Sequence, residues 1–136
     1  ALWVDVGDAL AWSPKYRHEA ERAYRTALER ASDELQVNGR NPRTLAAHAM
    51  ALARTGSLRE AKRSIEKAMQ ADAHNPDHMM RAAYIAQLAG DRAEALAWLQ
   101  KALTAGAPLF EFERHPEFSE LRKTSEGRAL LAEHSQ

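Results

Sequence analysis

His74 and His78 stand four residues apart, the spacing that places two metal ligands on one face of a helix. Asn75 and Pro76 lie between them, and Pro favours the first position of a helix. His74 therefore falls before that helix and His78 inside it, so the pair shares no face and no metal site is expected. Glu111, Glu113, His115 and Glu117 gather around Pro116, where a carboxylate can tune an imidazole for acid–base work. Beside Phe110, Phe112 and Phe118 they read more simply as a charged loop next to apolar capping side chains. His48 sits within an apolar helical stretch, where a packed or hydrogen-bonded imidazole is expected. No Gly-rich phosphate loop, nucleophile elbow or pair of spaced carboxylates occurs. The expectation is a protein that is not an enzyme and that uses no cofactor and no metal.

The elements that would position these residues are helices. Alanine is the commonest residue, Leu, Glu, Arg and Lys are abundant, and aromatic residues make up only 7% of the 136. Such residues lose least on entering a helix, so essentially no sheet is expected. Nineteen basic residues balance 19 acidic ones, a formal net charge of zero. The net basic footprint that neutralises phosphates is missing, and nucleic acid is not an expected partner. No apolar run approaches the roughly 20 residues of a membrane span. The absence of cysteine excludes disulfides and zinc–thiolate sites.

The chain repeats at 34 residues. Shifted by that length, Asn41-Pro42 lands on Asn75-Pro76, Ala49 on Ala83, Gly56 on Gly90, Glu60 on Glu94, Ala61 on Ala95 and Lys67-Ala68 on Lys101-Ala102. Each unit carries the punctuation of a helical hairpin. Asn41 and Asn75 cap the first helix, and Pro42 and Pro76 open it. Gly56 and Gly90 end it, and the pairs Ser57/Glu60 and Asp91/Glu94 start the second.

On these residues the chain resembles the tetratricopeptide repeat family. Ala49, Gly56, Ala61, Ile65 and Ala68 follow the family pattern in residues 42–75, and Ala83, Gly90, Ala95, Leu99 and Ala102 follow it in residues 76–109. A looser first unit shows Trp3, Gly7 and Leu10, then Ala20, Tyr24 and Ala27. It has one extra residue in the Trp12–Lys15 turn and a second helix that runs on through Leu28, Ala31, Leu35 and Val37 to Asn38-Gly39. The resemblance implies an all-α, right-handed superhelical solenoid of about three hairpins (about 1–41, 42–75 and 76–106). Short capping helices over 107–136 follow, broken by Pro108, Pro116 and Gly127. The stretch His115–Arg122 resembles a tail that follows such arrays in bacterial multidomain signalling and regulatory proteins, behind a kinase, cyclase or DNA-binding domain. The opening at Ala1-Leu2-Trp3-Val4, without an initiator Met, suggests a piece of a longer protein.

The resemblance also implies where a partner sits, along the concave side lined by the first helix of each pair, here called helix A. The matching positions are Val4, Asp8 and Trp12 in the first unit, with Ala1 and Ala11. Arg43, Met50 and Arg54 follow in the second, with Ala46 and Ala53, and Asp77, Met80, Tyr84, Gln87 and Leu88 in the third. Aromatic, Met and Arg side chains are the types enriched at interface centres. The expected function is a scaffold module that binds a protein or peptide segment in this groove. Some family members grip C-terminal carboxylates; here the corresponding positions hold Val4, Asp8, Ala47, Asp77 and Arg81, of which only Arg81 fits. The competing expectation is self-association, as a homodimer through the apolar start at Leu2, Trp3 and Val4, or regulation of a catalytic domain in the same protein. The expected compartment is the cytoplasm, with the periplasm as the alternative.

Overall fold

A computed structural model describes residues 2–11 and 13–135, and among these residues every regular element is helical. The helices are α1 (Leu2–Ala11), α2 (Arg17–Val37), α3 (Pro42–Arg54), α4 (Leu58–Ala71), α5 (Pro76–Leu88), α6 (Arg92–Thr104), α7 (Leu109–Arg114), α8 (Ser119–Lys123) and α9 (Ser125–His134). Two 3-10 turns, Pro14–Tyr16 and Pro116–Phe118, lead into α2 and α8. The chain divides into two compact units, Ala1–Ala73 and His74–Gln136. The first holds α1–α4 and the second α5–α9.

The repeat is a repeat of backbone. α3 and α5 are both 13 residues long and start 34 residues apart; α4 and α6 start at the same offset. Asn41 and Asn75 cap their helices by accepting the N–H of Arg43 and of Asp77, at 3.0 and 2.9 Å. Asp91 caps α6 through the Glu94 N–H at 3.1 Å. Ser57 departs from expectation: it holds the N-cap position of α4 with no side-chain cap bond. Its backbone N–H bonds the Leu52 carbonyl at 2.8 Å and closes the preceding turn.

That turn is a Schellman motif, a left-handed residue with a six-to-one bond over it. It recurs at Gly90, where Asp91 N–H reaches Ala86 O, and at Gly106, where Ala107 N–H reaches Ala102 O. Gly56, Gly90 and Gly106 take φ of +91°, +80° and +107°. A side chain there would strain the backbone, so glycine stands at all three.

Small residues bring the paired helices together. Ala49, Ala61 and Ala68 are fully buried between α3 and α4, as are Ala83, Ala95 and Ala102 between α5 and α6. Ile65 and Leu99 fill the remaining space at 1% and 0% exposure. Truncating such a side chain costs about 2–5 kcal/mol, because the close-packed alanines around it have no side chain with which to fill the gap. Across α3 and α4, His48 Nδ1 and Ser64 Oγ lie 2.8 Å apart, so the half-buried histidine is hydrogen-bonded as its position predicts.

In the second unit the tail folds back. The Pro116–Phe118 turn packs on α5, and α9 packs on α6. Phe112, Phe118 and Leu121 are 0–1% exposed, and the rings of Phe112 and Phe118 meet edge to face at 5.7 Å.

Candidate functional site

In the first unit the helix A residues come from α1 and α3. Asp8 Oδ1 accepts two hydrogen bonds, from the Tyr24 hydroxyl at 2.7 Å and from Arg54 Nε at 2.6 Å. Arg54 and Asp8 are 46 residues apart in sequence, with side chains 13% and 35% exposed. The Arg54 guanidinium also lies 5.9 Å from the centre of the Tyr24 ring, within cation–π range. Burial, reinforced by the Asp8 carboxylate, raises the Tyr24 hydroxyl well above its ordinary range, so it stays a proton donor to Asp8. Both bonds fall on one carboxylate oxygen. Asp8 is thereby fixed, while its side chain keeps about a third of its surface exposed.

Next to this pair, Val4, Ala27 and Ala51 form a small core with Trp3, Leu28 and Met50 packed against it. Val4 is 5% exposed, so it lies inside the unit, whereas Met50 and Trp3 keep part of their surface. The Arg30 guanidinium sits 5.7 Å over the Trp3 ring. Arg43 is exposed in the first turn of α3. The sequence expectation at Trp12 lies outside the described residues.

In the second unit Asp77 is exposed at the start of α5, and Gln87 and Leu88 are half-buried at its end. Met80 and Tyr84 are 7% and 3% exposed. The His115 ring meets Tyr84 edge-on at 5.0 Å and the Phe118 ring does so at 6.4 Å. Arg122 Nη1 holds the end of α7 by donating to the carbonyls of Phe112, at 2.9 Å, and His115, at 2.7 Å. Burial, together with the Asp77 carboxylate, pushes the Glu111 carboxyl up from its ordinary value, and Arg81 partly offsets this. The Glu111–Glu117 cluster is thus divided: Glu111 feels the Asp77 and Arg81 charges of α5, and His115 Nδ1 accepts the Glu117 N–H at 3.2 Å.

The sequence placed Tyr24 in the repeat pattern and His115 and Phe118 in a capping tail. It left open that the tail fills the groove, and it carried no signal for the Asp8–Arg54 contact. The one usable hint was Pro116 followed two residues later by Phe118, which marks a helical turn with an apolar side chain to bury.

Among the described residues no group of three or more His, Cys, Asp or Glu side chains gathers as a metal site would require. His78 is buried at 2% exposure within α5, and His74 precedes that helix. Among the described residues no helix is long and apolar enough to cross a membrane.

Helical hairpins repeated along the chain, with small-residue interfaces and glycine turns, define a helical-repeat protein. Residues 42–75 match the tetratricopeptide repeat family model. The α3–α4 hairpin is therefore a tetratricopeptide repeat, the kind of unit that generally serves as a non-catalytic scaffold for protein–protein interaction. No curated protein and no solved structure matches the chain at a significant level.

Proposed function

We propose that the chain is a non-catalytic interaction module, with hairpins over residues 1–106 and a cap over 107–136, that binds a peptide or helical segment on its helix A faces. The observation that carries this reading is the Asp8–Arg54–Tyr24 arrangement between α1 and α3. A part-exposed carboxylate already fixed by two bonds loses little further freedom when a partner's N–H or ammonium group reaches it. Met50 and Trp3 add part-exposed apolar surface beside it, and Arg43 adds a charge at the start of α3. Peptide-binding grooves combine these ingredients, a few oriented polar groups among adaptable apolar side chains. The module fits the interaction arm of a larger bacterial signalling protein.

The test is affinity capture from lysate of the source cell, with the native chain beside an Asp8→Asn, Arg43→Ala, Met50→Ala variant of unchanged helicity. A protein held by the native chain and lost by the variant supports the α1–α3 face. Equal capture by both would remove that face from the proposal.

A further inference from the structure

The face of α5 already has an occupant. The resemblance to tetratricopeptide repeats puts Met80 and Tyr84 among the partner-facing positions, yet both are buried. Tyr84 is covered by the rings of His115 and Phe118, three residues apart and 5.6 Å from each other. One tight turn thus presents two rings to one tyrosine. The turn has its own supports: Pro116 at its first position, His115 Nδ1 accepting the Glu117 N–H, and Arg122 bridging the carbonyls of Phe112 and His115. Phe112 backs it from α7 at 5.7 Å from Phe118. These bonds hold the turn from within the tail.

We propose that residues 115–118 act as an internal competitor at the α5 face. The partner segment for this face then carries the same chemistry, two rings three residues apart on a proline-opened turn. This rests on the reading of helix A faces as partner-facing. While the tail is docked, Tyr84 is covered. A partner binds only the fraction of molecules whose tail has lifted, and its apparent Kd is the intrinsic Kd divided by that fraction. The tether supplies the tail at an effective concentration on the order of millimolar. Weak ring-bearing segments are excluded, and tight or locally concentrated ones gain entry.

A labelled synthetic peptide of residues 107–136 tests this, titrated by fluorescence anisotropy into the intact chain and into a Phe118→Ala chain. Loosening the tail that is in place should tighten binding of the added peptide by at least about a hundredfold. A Tyr84→Leu substitution on top of Phe118→Ala should abolish the gain. Because Phe118→Ala opens a core position, Arg122→Ala is measured beside it. That variant keeps all four rings and removes only the bonds that shape the turn, for an expected gain of about tenfold. Equal affinity of the native and Arg122→Ala chains overturns the proposal. So does a Phe118→Ala chain of native helicity that ignores the peptide, or a gain that survives Tyr84→Leu. The peptide is the only ligand present, so this outcome is independent of the capture experiment on α1 and α3.

Discussion

Gly7 marks the point where α1 passes the Tyr24 ring. A methyl group built there would lie 2.4 Å from Cε1 and 2.6 Å from Cδ1 of that ring. Carbon atoms in contact prefer about 3.5–4.0 Å, so the ring must move. It is not free to do so, because its hydroxyl is bonded to Asp8, which Arg54 holds in turn. Helix propensity alone favours Gly7→Ala by about 1 kcal/mol. Against that stand about 1–3 kcal/mol for overpacking and about 1.5–3 kcal/mol for a hydrogen bond lost from a charged acceptor. The clash wins, and Gly7→Ala should destabilise the first unit by about 2–4 kcal/mol. In a Tyr24→Val background the ring is gone, and the same substitution should stabilise by up to about 1 kcal/mol. Urea unfolding of Trp98→Phe chains reads this directly, since the tryptophans at 3 and 12 then report the first unit alone. An effect of one sign in both backgrounds would refute the account of Gly7 as a seat for the Tyr24 ring.

Gly127 gives a second steric test, because a methyl there would lie 1.9 Å from the Leu121 carbonyl oxygen and 2.9 Å from its carbon. These are backbone atoms that cannot rotate away, so Gly127→Ala should destabilise the second unit by about 2–3 kcal/mol, measured from Trp98 emission in a Trp3→Phe, Trp12→Phe chain. Acid should weaken the first unit through His48. Burial lowers its pKa from the ordinary 6.5, with Lys67 adding to the shift and Glu60 opposing it. The unfolded chain then binds more protons, and stability falls as pH drops below about 6.5; a His48→Gln chain should show a flatter profile there. Glu111 runs the other way. Its raised pKa gives stability that is complete below about 4.5 and lost as pH climbs through the folded value. Glu111→Gln should therefore raise the melting temperature of the second unit at pH 7 and leave it unchanged at pH 4.

The hairpins were legible because their signals are local. Asn-Pro opens a helix and glycine closes it through bonds among near neighbours, so Asn41, Gly56, Asn75 and Gly90 act in the structure as their residue types foretell. The overlong α2 was legible for the same reason, its apolar spacing running on to Val37 before Asn38-Gly39. Ser57 was misjudged: its hydroxyl makes no cap bond, although Asp91, after the same kind of glycine turn, caps α6. The site was harder to read. Asp8 and Arg54 meet across 46 residues, and the tail returns to Tyr84 across about 30; neither separation leaves a periodic trace. The resemblance put Met80 and Tyr84 on the partner-facing side, whereas both are buried and rings of the tail cover Tyr84.

The reach of α2 has a practical side. At about 1.5 Å per residue its 21 residues span about 31 Å, against about 21 Å for the 14 residues of α4. The excess is tethered near its end, where Thr44 donates to Glu34 at 3.2 Å, and beyond it Val37, Asn38, Gly39 and Arg40 are all exposed. Exposed tips of small polar residues are where chains accept new ends and insertions. A reporter domain or a circular-permutation break placed at Asn38–Arg40 would enter the chain between intact helices, on a strut that leaves Asp8, Arg54 and Met50 untouched.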